Sequence, residues 1–340
     1  MDAVVIGGKL DLTVADHPVP EPDAGQVRIR VGYVGICGSD LHYYSEGANG
    51  AFVVTEPLVP GHELSGWVDL DPSGLLSAGT PVTVHPARFG PEGSAPVEPH
   101  LRPGGSYLGS AATTPHTQGA MSEYLVVDAG MIRTLPADLP VRRAVLAEPL
   151  AVALHGAGRA GSLAGARVLV CGAGPIGLLA VVAAQEAGAA SVEITDLLPE
   201  PLERARALGV DGVWRVGQDE IPSDTYDVVL ECSGAAPAVS SAIAAVRRRG
   251  TIVQIGMLPN QPVGVNIAPL ISKEATLTGA FRFLDEIDEA IEVLRRRPEI
   301  EAVITHEFRP DAAVDAFETA RRSAESSKVV VAMNSAKVES

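Results

Sequence analysis

Apolar and polar positions follow two different rhythms along this chain. In the first 150 residues, Val27, Ile29, Val31 and Tyr33 alternate with Arg28, Arg30 and Gly32. That period-two pattern predicts a half-buried strand over 27–34. Residues 82–85 and 124–127 predict further strands. Residues 86–118, rich in Pro, Gly, Ser and Thr, predict loop. From about Ala151 short apolar runs alternate with helical stretches. Strands are predicted at 167–171, 191–196, 227–232 and 251–255, with helices at 176–187, 199–208 and 238–247 between them. Such alternation predicts an α/β architecture, a parallel sheet with helices on its faces. After Phe281 the pattern predicts helix 285–296, strand 302–308, helix 311–322 and strand 328–332. Periodicity leaves open which domain these last elements join.

A length of 340 residues suggests about two domains. Hydrophobic residues at 46% and charged residues at 20% are those of an ordinary globular chain with a sizeable core. Twenty-six basic against forty-two acidic side chains give a net charge of −16. A surface that negative repels nucleic acid and anionic lipid, so neither is an expected partner. Residues 168–185 carry no charge and reach the length of a short membrane span. Gly172, Gly174, Pro175 and Gly177 interrupt that run, and strand, turn and helix is the better reading. Cys37, Cys171 and Cys232 are too few and too scattered for a disulfide framework. With an N-terminus that lacks the pattern of a secretory signal, they point to a reduced, cytoplasmic setting.

The segment Gly172-Ala173-Gly174-Pro175-Ile176-Gly177 is a GxGxxG between a predicted strand and a predicted helix. The next strand ends in Asp196, 22 residues beyond Gly174. This is the context a dinucleotide fingerprint requires. Gly172 allows the tight turn, Gly174 lets the backbone approach a pyrophosphate, and Gly177 lets the helix sit close to the strand. The helix N-terminus then presents unpaired N–H groups to the phosphates. Asp196 is placed to accept hydrogen bonds from the adenosine ribose and to repel a 2′-phosphate. Leu197 and Leu198 follow it, with no adjacent arginine, so NAD is expected rather than NADP. Ser233, just past the strand 227–232, is assigned to the same cofactor site.

Metal-ligand residue types fall in three segments of the first half: Cys37, Ser39, Asp40, His42 and Tyr43 in GICGSDLHYY, His62 and Glu63 in PGHELSGWV, and Glu148 in EPLAVALH. Thiolate, imidazole and carboxylate together are the ligand set of a catalytic zinc with one open position. Singly, Cys37 reads better as a small core residue, His62 as a core histidine and Glu148 as an acid in the first turn of a helix.

Taken with the fingerprint, these segments and Gly279-Ala280-Phe281-Arg282-Phe283 resemble the zinc-dependent medium-chain alcohol and polyol dehydrogenases over nearly the whole chain. Glu148 resembles the sorbitol dehydrogenase branch. The segments 107–111, 115–127 and 279–283 look closest to L-idonate 5-dehydrogenases. The resemblance implies a mostly β, GroES-like catalytic domain formed by 1–150 and 281–340, and a doubly wound Rossmann domain over 151–280. It implies NAD-dependent oxidation of a secondary alcohol on an aldonate or polyol. Cys37 and His62 become zinc ligands, with Glu63 and Glu148 binding zinc directly or through water. Asp40 becomes the acid that orients the ligand histidine. Ser39 contacts the reacting alcohol, and His42 ends a proton path that runs through the cofactor ribose. Tyr43 and Arg282 lie near the polyol chain. A homodimer or homotetramer is implied as well.

Departures from the family also matter. Residues 82–124 contain no cysteine, so a second, structural zinc is expected to be absent. Pro72 and Pro201 replace a glycine and a basic residue common among relatives. Arg282 is a candidate for a substrate carboxylate or a hydroxyl, whereas His116 reads better as a surface loop histidine than as a carboxylate anchor. Tyr44 and Phe52 are assigned to pocket lining or core. The alternatives are a neutral-polyol dehydrogenase, a zinc-free reductase, and a non-catalytic dinucleotide- or sugar-binding protein. Cys37, His62, Glu148, Ser39 and His42 speak against the last two.

Overall fold

A computed structural model describes residues 1–334. The end of the predicted catalytic segment, 335–340, lies outside the described residues.

The second half folds as its rhythm predicts. Six parallel strands form one sheet in the spatial order Gly212–Arg215, Ser191–Asp196, Arg167–Cys171, Tyr226–Glu231, Val246–Gln254, Thr276–Gly279. Counted along the chain within this unit, that is 3-2-1-4-5-6, the doubly wound dinucleotide-binding order. The apolar runs are continuous because both faces are buried. In Arg167–Cys171, Val168 and Val170 enter one core, while Leu169 and Cys171 enter the core on the opposite face. The uncharged run 168–185 resolves into this strand, a turn and the helix Pro175–Glu186. Among the described residues no helix is long and apolar enough to cross a membrane.

The first half builds a second sheet of seven strands around Gln26–Gly35. Glu63–Leu70 flanks that strand antiparallel along most of its length. On the other side, Tyr124–Asp128 pairs with its first half and Lys328–Ala332 with its last residues. Ile304–Phe308 then adds in parallel to Lys328–Ala332. The chain therefore returns to its first sheet after leaving the parallel one, the point that periodicity left open. The returning segment contributes to both cores. Phe283, Ile287, Ile291 and Leu294 pack with the parallel sheet, whereas Ala313, Phe317, Val329 and Val331 pack with the first one.

Differences from the predicted elements are local. The helix predicted over 238–247 spans Ala236–Ala245, and Val246–Gln254 is strand. Arg249 takes a left-handed φ of 58°, which the helical pattern of its neighbours does not reveal. Helix Gly38–Glu46 and the hairpin Asp2–Gly8/Asp11–Asp16 carry no strong periodicity and were not predicted.

Candidate metal and cofactor site

Cys37 is the N-cap of helix Gly38–Glu46. His62 and Glu63 stand where the chain enters strand Glu63–Leu70, and register pairs Glu63 with Gly35 at the far end of the neighbouring strand. Topology thus brings together residues 25 positions apart, with ligand atoms of Cys37, His62 and Glu63 all within 4.8 Å of one another. Two of these residues are buried and Cys37 is half-buried. Asp40, fully buried one turn into the helix, fastens the loops. Its Oδ2 accepts the Cys37 N–H at 2.9 Å and its Oδ1 the Gly61 N–H at 3.1 Å.

Both Asp40 oxygens accept from backbone, and Nδ1 of His62 has no hydrogen-bond partner. Asp40 holds the two ligand-bearing loops in place, and its charge also acts on the His62 ring. Gly61 has a φ of 98°, a left-handed value that suits glycine, and a Cβ there would meet Val34 at 2.6 Å.

Two residues to which the sequence assigns no role complete the pocket. Lys328, buried on the returning strand, donates from Nζ to Glu63 Oε1 at 2.6 Å and to the Ile36 carbonyl at 3.0 Å. Tyr107 donates its hydroxyl to Glu148 Oε1 at 2.5 Å and packs edge-on against His62, with ring centroids 5.4 Å apart. Glu148 sits in the first turn of the buried helix Ala147–Gly158. It stands outside the cluster of three and acts on His62 through its charge.

These residues fit a zinc ion. Nδ1 of His62 and Oε2 of Glu63 are both buried without a partner, and such polar atoms are rare unless something pairs with them. Burial opposes charge on His62, yet Cys37, Asp40 and Glu148 outweigh it and push the ring's pKa up to about 10. The pocket attracts positive charge beyond what Lys328 supplies. Burial likewise raises the pKa of Glu148, with Glu63 adding to the rise and His62 opposing it.

Ser39 is half-buried beside Cys37, and His42 lies one turn further at the exposed edge, its Nδ1 3.2 Å from Glu46 Oε1. Tyr43 is buried, and its hydroxyl accepts the Ala111 N–H at 3.1 Å. Arg282 lies over the Tyr107 ring at 4.0 Å and the Phe281 ring at 4.8 Å. Tyr44 packs on Phe317 in the core, whereas Phe52 is exposed. His116 is buried, not a surface residue. Its Nε2 accepts the Thr55 N–H at 3.0 Å and its Nδ1 lies 2.9 Å from the Thr113 carbonyl, so neither nitrogen is free for a carboxylate.

The glycine turn fits a dinucleotide. It lies at the carboxyl ends of the parallel strands, where such ligands bind. A Cβ on Gly174 would meet nothing within 4 Å, leaving the approach to the helix N-terminus open. A Cβ on Gly177 would fall 1.8 Å from the Gly172 carbonyl oxygen. Gly177→Ala is therefore expected to weaken NADH binding at least about tenfold, since overpacked backbone must shift. Fluorescence titration checks this, and an unchanged Kd would contradict it.

Asp196 accepts the Ala173 N–H at 2.8 Å on one oxygen and the Leu198 N–H at 2.9 Å on the other. Each oxygen keeps a lone pair for a ribose hydroxyl. The parallel register also sets Arg215 opposite Asp196, although no arginine is adjacent in sequence. Its Nη1 donates to Gln218 Oε1 at 3.1 Å and its Nε to the Leu197 carbonyl at 3.4 Å. Ser233 turns its amide and hydroxyl to the buried Glu231 and backs the turn at Gly172.

Comparison with known proteins agrees with this geometry. Residues 23–137 match the alcohol dehydrogenase GroES-like domain, and residues 175–296 match the zinc-binding dehydrogenase family. Sorbitol dehydrogenase of Gallus gallus is 34% identical over 340 residues, covering 94% of this chain and 93% of the relative. D-xylulose reductase of Saccharomyces cerevisiae is 35% identical, covering 93% of each. The crystal structure of L-idonate 5-dehydrogenase from Escherichia coli superposes with a TM-score of 0.91 at 30% identity, covering 98% of both chains. With its GroES-like and dinucleotide-binding halves and its Cys-His-Glu cluster, the chain belongs to the zinc-binding alcohol dehydrogenase family, among the polyol and aldonate dehydrogenases.

Proposed function

We propose that the chain oxidises a secondary alcohol on a sugar acid or polyol, in the manner of an L-idonate 5-dehydrogenase, with NAD as hydride acceptor. The observation that carries the reading is the convergence of Cys37, His62 and Glu63 in an anion-rich pocket beside Tyr107, over which Arg282 stacks. Cys37 and His62 would hold zinc, with Glu63 or Glu148 as the carboxylate. One thiolate and one carboxylate would balance the ion's charge. When bound, zinc supplies Lewis acidity, which eases loss of an alcohol proton near neutral pH. The dinucleotide supplies the hydride chemistry.

This chain's residues do the rest. Ser39 Oγ receives the alcohol proton, and His42, three residues on along the same helix face, releases it to water. Asp40 keeps the ligand loops fixed, and Tyr43 and Arg282 border the polyol chain. Gly172, Gly174, Pro175, Ile176 and Gly177 form the pyrophosphate turn, with Ser233 behind it and Asp196 on the ribose. In this reading 1–150 with 281–340 form the catalytic domain and 151–280 the NAD-binding domain.

A neutral polyol is the second reading, favoured by the sorbitol dehydrogenase relatives. A panel of L-idonate, D-gluconate, sorbitol and xylitol, followed by NADH formation, separates the two. Turnover of the acids supports the first; turnover of neutral polyols alone replaces it with the second.

NAD specificity rests on the free lone pairs of Asp196. Asp196→Ala is expected to lower the NAD-to-NADP ratio of kcat/KM at least about tenfold, the scale of a hydrogen bond to a charged group. An unchanged ratio would show that the carboxylate does not meet the ribose.

Self-association into a dimer or tetramer would use the edge strand Thr276–Gly279. Leu277, Ile271 and Met257 near it are 41%, 77% and 67% exposed, which supports that surface. Three unpaired cysteines support a cytoplasmic location.

A further inference from the structure

A cavity of about 200 Å³ lies between the lobe 87–106 and the segment 281–283. Arg88, His100, Arg102 and Arg282 all line it. For a chain of net charge −16, three arginines and a histidine around one small recess are a marked local reversal of sign.

The partners of these cations differ. Arg88 is satisfied, its Nε 2.6 Å from Asp128. Arg102 has no ion pair among the described residues, and its Nε is buried without a hydrogen-bond partner. Arg282 likewise has no ion pair among the described residues. Its guanidinium rests on the rings of Tyr107 and Phe281, held by a left-handed φ of 54° that a non-glycine residue adopts only when its surroundings impose it. His100 Nδ1 is also buried and partnerless. The His100 and His155 rings meet edge to face, and His155 is itself bound to Glu286 at 2.7 Å. Arg102, Arg282 and, as its Nδ1–H tautomer, His100 are therefore three groups able to donate to an anion that line one recess.

The recess also has a defined relation to the reacting centre. Arg282 stacks on Tyr107, and Tyr107 touches both Glu148 and His62. Its volume is below that of pockets that enclose whole drug-sized ligands, and it suits one small head group. Guanidinium forks match the oxygens of carboxylate and phosphate alike.

We propose that this recess binds the anionic end of the substrate, a carboxylate or a phosphate ester on an acyclic polyol, with Arg102 and His100 acting together with Arg282. Arg102 is then a specificity-determining residue. The inference rests on the polyol-dehydrogenase reading and narrows its substrate class to polyols with an oxyanion terminus.

The test compares wild type with Arg102→Met on D-gluconate, sorbitol 6-phosphate and sorbitol, with calorimetric titration of D-gluconate and of inorganic phosphate alongside. Arg102→Met is expected to lower the anionic-to-neutral ratio of kcat/KM at least about tenfold, the scale of one charge-assisted hydrogen bond, and to weaken binding of the anion by a similar factor. The substrate with the larger loss identifies the head group as carboxylate or phosphate. Equal losses on all three substrates would reduce Arg102 to a structural role and overturn the proposal, as would no loss at all. If wild type oxidises none of the three, the polyol reading fails by itself, and the calorimetry still decides the recess. Anion binding that Arg102→Met abolishes upholds the recess; binding absent from wild type, or equal in both proteins, overturns it.

Discussion

Cys37→Ala is expected to cost about a thousandfold or more in polyol oxidation while leaving NADH binding intact. The structure separates those two effects. The thiol belongs to the cluster with His62 and Glu63, while the contact of residue 37 with Asp40 runs through its backbone N–H. Alanine keeps that backbone bond, and loses the sulfur with its contacts to the N3 backbone of the helix and to His62. Lewis acidity from a zinc held by this thiolate would contribute several kcal/mol to the transition state, and each 1.4 kcal/mol is tenfold in rate. Zinc content by mass spectrometry, turnover, and NADH fluorescence on the same preparation check the prediction. Wild-type turnover in the variant would remove Cys37 from the metal site; loss of NADH binding would mean that the two halves are not independent.

Lys328→Met is expected to destabilise the fold by about 3–5 kcal/mol, the range for removing one member of a buried ion pair. Lys328 and Glu63 side chains are 3% and 1% exposed, and Lys328 Nζ also donates to the Ile36 carbonyl. Methionine fills a similar volume but leaves the Glu63 carboxylate buried without its cation. Equilibrium denaturation in urea measures the loss. Adding Glu63→Gln to the variant is expected to restore part of it, because the stranded charge is then gone. Additive losses would contradict the account, since residues in one pair do not act independently.

What could be read from the sequence was what is encoded locally. The turn Gly172–Gly177 and Asp196 belong to one strand-turn-helix-strand unit, and their spacing alone specifies the geometry. Strands Arg167–Cys171, Ser191–Asp196 and Lys328–Ala332 stand where their apolar runs predict. Cys37, His62 and Glu63 were legible through family resemblance, not through spacing. Lys328 was not legible as the partner of Glu63, because 265 positions separate them and only the pairing of Lys328–Ala332 with Gln26–Gly35 brings the two together. Tyr107 lies in a loop-rich stretch without periodicity, so nothing local pointed to its bond with Glu148. Arg215 was missed beside Asp196 because parallel pairing, not sequence adjacency, makes them neighbours. The reading of His116 as a surface residue failed for a related reason. A polar loop composition suggests exposure, whereas Thr55 and Thr113 enclose the ring.

The most direct test of the central claim is a zinc titration. The protein is stripped with a chelator, zinc is added back in steps, and oxidation of L-idonate and sorbitol by NAD is measured at each step. The Cys37-His62-Glu63 pocket predicts negligible turnover without metal, and activity that rises linearly and saturates at about one zinc per chain, the stoichiometry of a single catalytic site. Full turnover in the stripped protein, or turnover that zinc does not restore, would contradict it.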